Sequence, residues 1–577
     1  MTDAVRRRSL LALLGIGAAA GAVRSDGRAG EAGGRVTLLP AERPGVEARS
    51  LASLRALMAA PATPGARYVL DDGGLAETWR WREGDFRAAV AADPLRGLTL
   101  RHATVSAGDG AWTREWDGVR GRPEWFGART NDAAFDNQPA VQAALDLCPT
   151  VELGAGSYHV RSGLRIVRNG TRLIGAGITQ TDQGDNDRST QIVCASATAT
   201  ILQIGADSHD QPHPLVETVQ LRDFTVRRSV APFIPATGMA GAVGIALRWC
   251  VNCHIERVFS IDSARGWLFY GTIENYVTQC AALRAIPGTR PERDMFIGFH
   301  LDYRAPLAAN GGNASLYFDH CRAFGGFGRG TPALAYSAGL RTDGGWVDLF
   351  IDAFETGTLQ YGIHGNGDGD GDGDRISLKT EDLIIANCVL DPGYLASIRL
   401  ENAGRAAAVQ IVNCYFAVSP SGTSIVLANI GGSVSLTGNQ CITGEAGGTG
   451  LSAVNVTNLR ATGNIYTRLK QPVYLERVAG FHVQDTIRSL DAPNDYPAIT
   501  VAGCRRGKID CIVSGSPGAN SAGVAIRAGS SHIEVNCTNI DPAALAGGVA
   551  RTVLFDGMPV CATGPFGAGC LATGIMG

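Results

Sequence analysis

Charge is scarce in this sequence. Asp, Glu, Lys and Arg together make up 18% of the 577 residues, and the formal net charge is −3. The basic residues do not cluster outside the N-terminus, so the chain lacks the electrostatic footprint of a nucleic-acid-binding protein. We therefore expect no nucleic-acid partner.

Motifs for nucleotide, zinc or nucleophilic chemistry do not stand out either. There is no Gly-rich phosphate loop, no Ser-His-Asp arrangement and no zinc-ligand set. Cys250 and Cys253 form a single Cys-x-x-Cys without a second copy, which disfavours a metal or redox site there. Of the 14 cysteines, we expect Cys561 and Cys570 to form a disulfide. We predict that no cofactor is required and leave Ca²⁺ open.

The apolar run at the N-terminus is too short for a comfortable membrane span. It extends from Leu10 to Ala22 after Arg6, Arg7 and Arg8, and it ends in a small-residue cleavage pattern. Arg7-Arg8-Ser9-Leu10-Leu11 resembles the twin-arginine export motif. We predict a signal peptide over residues 1–22, export to the periplasm or the exterior, and no membrane contact after cleavage. An uncleaved anchor is the alternative.

Glycine and apolar residues are what the sequence has in quantity. It contains 75 Gly, roughly twice the usual share, and 45% of its residues are hydrophobic. This composition favours a turn-dense β architecture over a helical one and argues against disorder. The length exceeds that of an ordinary compact domain, but an elongated repeat accommodates it.

The second half of the chain contains such a repeat. β-branched runs end in Asn or Asp at positions 387, 413, 439, 464, 485, 510 and 536, with spacings of 26, 26, 25, 21, 25 and 26. One unit per coil predicts a solenoid in which these residues stack at a corner. Asp485 and Asp510 are then corner residues rather than catalytic acids. The neighbouring Cys388, Cys414, Cys511 and Cys537 are predicted to lie in the core.

The period extends backward to Asp319 and Asp352, so we predict a right-handed parallel β-helix over residues 151–555. Residues 121–150 lead into it, and helical spacing from Pro139 to Leu147 predicts a helix that caps its end. We assign residues 23–120 to a small N-terminal domain and residues 556–577 to a C-terminal tail. The fold class is all-β.

The segment before the solenoid resembles the start of the pectate-lyase-like β-helix superfamily, which includes tailspike depolymerases and polygalacturonases. The resemblance is carried by Trp125-Phe126-Gly127-Ala128, Asp136-Asn137-Gln138, Gln142 and Gly156-Ser157-Tyr158. A Gly-Asp-Gly step common in that group is replaced by residues 129–132. The resemblance implies the fold, a polysaccharide substrate and, as in many tailspike-like proteins, a homotrimer. It does not imply one reaction, because this fold hosts several.

Reactive residue types concentrate on one face of the predicted solenoid. Because side chains alternate along a strand, aligning the strands by their Gly-apolar starts gives two outward rows. The first row is Ala246, His300, Arg341, His364, Arg399 and Val426, and the second is Arg248, Asp302, Asp343, Asn366, Glu401 and Ala428. A solvated polar face is the alternative interpretation, and a one-residue slip would reverse every assignment.

We predict that Asp343 and Glu401 form an acid–base pair, with Asp302 as the alternate, and that their pKa values split so that one stays protonated. The predicted substrate-binding residues are His300, Arg341, His364, Arg399, Asn366, Trp267 and Tyr270. Trp267 and Tyr270, like Tyr303 and Trp346, are candidates for stacking on sugar rings.

Four aspartates, Asp368, Asp370, Asp372 and Asp374, alternate with glycine just after the His364 strand. Their hard oxygen ligands and flexible spacing suit Ca²⁺, although the spacing does not match an EF-hand loop. We interpret the segment as a mobile rim loop first and as a Ca²⁺ site second.

Three functions remain open from the sequence. The first is an exported glycoside hydrolase that cuts a polysaccharide by paired-carboxylate catalysis. The second is a polysaccharide lyase on a uronate polymer, with arginine as base and Ca²⁺ or arginine on the carboxylate. The third is a non-catalytic glycan-binding β-helix.

Overall fold

The computed structural model describes residues 49–51, 53–71, 76–179, 188–206, 214–233, 242–285, 294–303, 313–325, 335–367, 380–488, 496–514, 522–539, 551–556, 558–559, 564–566 and 570–576. The predicted signal peptide, residues 1–22, lies outside them. Within these ranges, no helix is both long and apolar enough to cross a membrane.

The first described residues form a small five-stranded sheet in the order β1-β2-β3-β5-β4. Its elements are β1 (Arg49–Leu51), α1 (Leu54–Met58), β2 (Arg67–Asp71), β3 (Ala76–Glu83), α2 (Arg87–Ala92), β4 (Thr99–Leu100) and β5 (Gly110–Arg114). Trp79, Trp81 and Trp112 are buried and are the largest side chains of its core. The domain boundaries 23–120 and 556–577 stay predictions.

A short 3₁₀ helix (Pro123–Phe126) and helix α3 (Gln138–Leu147) lead into the solenoid. Gly127 ends the 3₁₀ helix with φ 92°, a conformation that favours glycine. The buried face of α3 holds Ala140, Val141, Ala144 and Leu145 and packs against the first coils. The predicted capping helix is therefore confirmed.

The strands of the first half of the solenoid are β6 (Arg120–Gly121), β7 (Thr150–Glu152), β8 (Gly156–Val160), β9 (Leu164–Ile166), β10 (Arg172–Ile174), β11 (Thr190–Cys194), β12 (Leu202–Ile204), β13 (Val216–Glu217), β14 (Gln220–Arg228), β15 (Val243–Arg248), β16 (Cys250–Val251), β17 (His254–Ile261), β18 (Arg265–Tyr270), β19 (Ile273–Thr278) and β20 (Ala281–Arg284).

The later strands are β21 (Met295–Asp302), β22 (Ala314–Asp319), β23 (Arg322–Gly325), β24 (Tyr336–Asp343), β25 (Leu349–Asp352), β26 (Glu355–Gly357), β27 (Leu359–Asn366), β28 (Asp382–Ala386), β29 (Val389–Ala403), β30 (Ala408–Val412), β31 (Tyr415–Val418), β32 (Thr423–Thr437), β33 (Gln440–Glu476), β34 (Gly480–Arg488), β35 (Ile499–Ala502), β36 (Arg505–Ser514), β37 (Ala522–Arg527), β38 (Ser531–Asn539), β39 (Arg551–Phe555), β40 (Met558–Pro559), β41 (Gly564–Phe566) and β42 (Cys570–Met576).

Each coil pairs in parallel with the next, which makes three long sheets. Sheet I contains β9, β12, β15, β18, β21, β24, β27, β35, β37, β39 and parts of β29, β32 and β33. Sheet II contains β7, β10, β19, β22, β25, β28, β30 and parts of β14, β17, β32, β33, β34, β36 and β38. Sheet III contains β8, β11, β20, β23, β26, β31 and parts of β14, β17, β29, β33, β34, β36 and β38. The protein is a right-handed parallel β-helix, which confirms the predicted fold class.

A column of glycines fixes the register of sheet I. A Cβ at Gly298 would lie 2.5 Å from the carbonyl oxygen of Gly339, and one at Gly339 would lie 2.7 Å from that of Gly362. At Gly362 the corresponding distance to Ser397 O is 2.6 Å. Since real Cβ atoms do not approach this closely, each of these coils needs a glycine at the same point. The inward residues that follow, Phe299, Leu340, Ile363 and Ile398, are buried as predicted.

A buried ladder of side chains occupies one corner of the later coils. Asn439 Nδ2 donates to Asn464 Oδ1 at 2.9 Å, and Asn464 Nδ2 donates to Asp485 Oδ1 at 3.0 Å. Tyr466 donates to the other oxygen of Asp485 at 3.4 Å. Burial raises the pKa of Asp485 to about 6, and these hydrogen bonds oppose the shift.

Two sequence predictions at this corner fare differently. Asp510 is the register partner of Gln484, and Cys511 is the partner of Asp485. The prediction that Asp510 belongs to the corner ladder is therefore wrong. Its side chain faces outward, because neighbouring strand residues alternate faces, and its carboxylate lies 3.1 Å from His482 Nε2.

The sequence makes two kinds of prediction for the cysteines, burial in the core and one disulfide. Cys388, Cys414, Cys511 and Cys537 are buried in the core, which confirms their interpretation as small apolar residues. Cys570 is buried as a free thiol, and Cys561, its predicted disulfide partner, lies outside the described residues. Strand β42 packs Cys570 inward as a core residue of the last coil.

Candidate active site

The outward rows of sheet I have the register that the sequence predicts from β21 to β32. The first row holds, as successive partners, His300, Arg341, His364, Arg399 and Val426. The second row holds Asp302, Asp343, Asn366, Glu401 and Ala428. Four adjacent coils thus bring histidine, arginine and carboxylate side chains to one face.

The first of these coils form a cluster that we call the sealed triad: His300, Arg341 and Asp343. His300 Nε2 lies 2.8 Å from Asp343 Oδ2, and Arg341 Nε donates to Asp343 Oδ1 at 2.9 Å. The side chains of His300 and Asp343 are 0% and 3% exposed. His300 and Asp343 are therefore shielded from solvent even though they lie on the outer face of the sheet, whereas Arg341 is partly exposed.

The charges of the sealed triad compensate one another. Burial alone would raise the pKa of Asp343, but hydrogen bonds from His300 and the charge of Arg341 outweigh it and hold that pKa well below its usual value. Burial lowers the pKa of His300, and the hydrogen bond to Asp343 opposes that shift. Asp343 is thus held ionised.

Two coils further along lies the open triad: His364, Arg399 and Glu401. His364 Nε2 lies 3.2 Å from Glu401 Oε1, and Arg399 donates to Glu401 Oε2 through Nε at 2.9 Å and Nη2 at 2.7 Å. The side chain of Arg399 is 38% exposed. The hydrogen bond from His364 lowers the pKa of Glu401 to about 2, and Arg399 adds to this effect while partial burial opposes it.

A tyrosine that the outward rows do not include completes the open triad. The hydroxyl of Tyr336 lies 2.8 Å from His364 Nδ1, and the Arg341 guanidinium stacks 4.7 Å from the centre of the tyrosine ring. An ionised carboxylate only accepts hydrogen bonds, so neutral His364 carries its proton on Nε2 and Tyr336 donates to Nδ1. We call this hydrogen-bonded chain of Tyr336, His364 and Glu401 the relay. Burial raises the pKa of Tyr336, and the charge of Arg341 opposes the shift.

Tyr361 forms one wall of the relay. Its ring centre lies 4.7 Å from that of His364, and 5.7 Å from that of Tyr336. Both tyrosines stand near the beginning of their strands, where the chain turns from one sheet into the next. Period-two alternation counted from Leu340 or Ile363 assigns them to the core, so sequence analysis missed them. The informative signal was a tyrosine at the start of two successive coils, three residues before Gly339 in one and directly before Gly362 in the other.

Both predicted catalytic carboxylates are on the face, but the predicted splitting of their pKa values is wrong. The pKa values of Asp343 and Glu401 are both lowered, because each carboxylate has its own arginine and histidine. They stand two coils apart, so the repulsion between them is weaker than the attraction to these partners.

The alternate acid and the predicted amide lie in the second row. Asp302 is the register partner of both Tyr270 and Asp343. Asn366 stands between Asp343 and Glu401, and its Oδ1 accepts from Asn402 Nδ2 at 3.1 Å.

The predicted aromatic sugar platforms are wrong for Trp267 and Tyr270. Trp267 pairs in register with the inward residues Ile245 and Phe299 and is fully buried, since the glycine of its strand is Gly266. Tyr270 faces outward but is buried against Trp249, with ring centres 5.6 Å apart. Tyr303 and Trp346, the other two stacking candidates, are also fully buried.

The predicted Ca²⁺ ligands Asp368, Asp370, Asp372 and Asp374 lie outside the described residues. Within the described ranges, no group of three or more His, Cys, Asp or Glu side chains is arranged to hold a metal ion.

Comparisons with known proteins give distant similarities. No protein-family model and no curated protein matches the sequence. The chain is similar to the gp42 tailspike of Acinetobacter phage vb_AbaP_AS12, at 12% identity over 90% of this chain and 80% of that chain, with a TM-score of 0.38. It is also similar to tailspike gp49 of Acinetobacter baumannii bacteriophage Fri1, a capsular polysaccharide depolymerase, at 11% identity over 89% of this chain and 76% of that chain, with a TM-score of 0.37. The chain is similar as well to the A-module of Azotobacter vinelandii mannuronan C-5 epimerase AlgE6, at 15% identity over 79% of this chain and 100% of that chain, with a TM-score of 0.34. The fold assignment rests on the strand pairing of this chain.

Proposed function

We propose that the protein is a polysaccharide-degrading enzyme that cleaves an acidic glycan by β-elimination. The observation that carries this proposal is the relay, in which the Tyr336 hydroxyl lies 2.8 Å from His364 Nδ1. A phenol, an imidazole and an orienting carboxylate in a row are a general acid–base system. The resemblance of residues 125–158 to glycan-active β-helices supports the substrate class.

Elimination needs one proton removed from the sugar and one returned. As Tyr336 gives its proton to His364, its oxygen takes the proton from C5 of a uronate ring. The electron pair of that C–H bond forms the C4–C5 double bond, and the C4–O bond breaks with its pair on oxygen. The proton held by His364 returns through Tyr336 to the leaving oxygen, so the relay regains its starting state.

The two arginines supply positive charge where the reaction develops negative charge. Arg341 covers the Tyr336 ring and favours the phenolate. Arg399 presents its exposed guanidinium beside Glu401, where it is available to a uronate carboxylate. Glu401 keeps His364 in the tautomer that accepts from Tyr336.

Hydrolysis by Asp343 and Glu401 is the second candidate, because their two-coil separation, about 9–10 Å, is near the range of inverting glycosidases. It has weaker support. General acid catalysis needs a protonated carboxyl, whereas the pKa of each of these groups is lowered.

One assay separates the candidates. The protein is incubated with acidic and neutral polysaccharides, with Ca²⁺ and then with chelator, while reducing ends and the ultraviolet absorbance of a C=C bond conjugated to the carboxylate are followed together. Both signals together support elimination, and loss of both in chelator assigns a role to Ca²⁺. Reducing ends without absorbance would favour hydrolysis. Neither signal, with polysaccharide bound, would favour a non-catalytic glycan-binding protein.

We also propose that the protein is exported by the twin-arginine route and acts in the periplasm or outside the cell. Arg7-Arg8-Ser9-Leu10-Leu11 supports this. Replacing both arginines with lysine should retain the protein in the cytoplasm, as measured by cell fractionation, and unchanged export would contradict the proposal. A homotrimer stays a prediction, which sedimentation of the purified protein tests.

A further inference from the structure

A row of carboxamides follows the edge of sheet I away from the relay. Asn402, Asn429 and Asn455 come directly after second-row residues, and we call them the carboxamide ladder. Asn402 Nδ2 donates to Asn366 Oδ1 at 3.1 Å, Asn429 Nδ2 to Asn402 Oδ1 at 3.0 Å, and Asn455 Nδ2 to Asn429 Oδ1 at 2.8 Å. Arg477 Nε donates to Asn455 Oδ1 at 2.6 Å and ends the row.

The ladder has hydrogen-bonding capacity that it does not use internally. A carboxamide has two N–H donors and two oxygen lone pairs, and the ladder occupies one of each. Asn429 and Asn455 are exposed. Their φ angles, both 56°, belong to the left-handed region that asparagine tolerates, and this turn directs the amides along the edge of the sheet.

The surface beside the ladder is low and continuous. Its floor is formed by Val426, Ala428, Ser452 and Val454, which are small and partly exposed. At its far end, Tyr474 donates to Glu476 Oε2 at 2.8 Å, and Arg477, whose side chain is 56% exposed, forms an ion pair with Glu476 Oε1.

Toward the N-terminal coils, the outward face of sheet I is mostly buried. Toward the N-terminus, Leu268, Tyr270 and His300 in the two outward rows are buried. A long ligand that reaches the relay along this face therefore extends toward the C-terminal coils.

We propose that the ladder, its floor and Arg477 bind a linear acidic polysaccharide on one side of the bond cleaved at the relay, an inference that rests on the proposed function. From Glu401 to Glu476 the track covers three coil steps, about 14 Å, which is room for several sugar units. The free amide groups of Asn429 and Asn455 bind sugar hydroxyls, and the Arg477 guanidinium binds a carboxylate.

The test measures binding without cleavage. Tyr336→Phe is used as the parent protein, and its affinity for sodium alginate, polygalacturonate and the neutral glycan dextran is measured by affinity electrophoresis. Asn429→Gly with Asn455→Gly removes two rungs of the ladder and keeps the left-handed turns, because glycine accepts them. The matched control is Asn387→Gly with Asn413→Gly, two exposed asparagines with φ 54° and 53° on another corner.

We expect at least one of the acidic glycans to bind and the ladder double variant to weaken that binding about tenfold, as the loss of two hydrogen bonds requires. The control pair should change the affinity less than about twofold. Equal effects of the two pairs, no binding of either acidic glycan, or equal binding of dextran would overturn the inference. Cleavage by the wild-type protein tests the proposed function separately, since cleavage with an unaffected ladder variant contradicts only the track.

Discussion

The sealed triad and the open triad have nearly the same composition and differ in their surroundings. In each, a histidine on one coil and an arginine on the next hold the same carboxylate. The carboxylate side chain is 3% exposed in Asp343 and 16% exposed in Glu401, and the arginine side chain is 22% exposed in Arg341 and 38% exposed in Arg399. The Nδ1 atom of His300 has no hydrogen-bond partner among the described residues, whereas that of His364 accepts from Tyr336.

The difference teaches that ionised groups alone do not make a reactive site. A buried carboxylate between two partners stabilises the fold only as long as the set is complete. The same set becomes chemically useful when solvent reaches it and when a proton-carrying group lies at the free nitrogen of the histidine. We therefore assign structure to His300 and Asp343 of the sealed triad and chemistry to the open triad, with Arg341 contacting both Asp343 and Tyr336. The following experiments test this assignment.

The largest expected effect comes from removing the phenol of the open triad. Tyr336→Phe should lower kcat about 10³-fold, the size of a general acid–base contribution, because the hydroxyl that donates to His364 is lost. The melting temperature should change little. The measurement is initial rate on the polysaccharide that the panel identifies, with thermal unfolding as the control. Activity within about tenfold of wild type would remove the distinction between the triads.

Breaking the sealed triad should act on stability instead. Asp343→Asn should lower the free energy of unfolding by about 3 kcal/mol, as expected for an incompletely compensated buried charge. The residual activity of the folded fraction should fall less than about tenfold, since Arg341 keeps its place over Tyr336 by stacking. Urea unfolding gives the first quantity and rates at low temperature give the second. A stable Asp343→Asn variant that is inactive would transfer the chemistry to the sealed triad.

The matching change in the open triad should show the opposite pattern. Glu401→Gln should lower kcat about 10²-fold, because a neutral amide no longer fixes the His364 tautomer. Its effect on unfolding should stay below about 1 kcal/mol, since the group is partly exposed. The same two assays serve both variants. A stability loss as large as that of Asp343→Asn, with activity retained, would contradict the comparison.

The buried carboxylate of Asp485 sharpens the contrast, because the ladder that holds it contains no cation. The pKa of Asp485 is raised to about 6, so the stability that its neutral form provides is present below about pH 4 and is lost as the pH rises through 6. Asp485→Asn, which stays neutral, should raise the free energy of unfolding by about 2 kcal/mol near pH 7 and change it little near pH 4. Urea titrations at both pH values measure this, and an equal change at the two would contradict the assignment.

The register of the site was predictable because only glycine fits at one position of each coil. Gly298, Gly339 and Gly362 each stand where a Cβ would collide with the next coil, so aligning on glycine gave the correct coil-to-coil partners. The outward rows from His300 to Glu401 followed from alternation alone. Where the glycine was overlooked, at Gly266, the alignment slipped and Trp267 was assigned to the wrong face.

The relay was not predictable by the same reasoning. Tyr336 and Tyr361 lie where strands bend between sheets, and alternation no longer tells which way a side chain points there. The burial of outward-facing side chains could not be predicted from the sequence either, because it depends on which residues cover the face and not on the strand itself. His300 and His364 look alike in the sequence, yet one is fully buried and the other contacts Tyr336.

The spacing of the two triads has a consequence for how such a protein evolves. Each triad spans two coils, and the second begins two coils after the first, so a pair of coils is a unit that gene duplication can copy without disturbing the stacking on either side. A duplicated pair of coils carries the same histidine, arginine and carboxylate as the original pair. A change in its solvent exposure, or one added tyrosine, is then enough for it to gain or lose activity. The solenoid therefore offers natural selection spare sites, and the active position can migrate along its axis while the older one is kept for its contribution to folding.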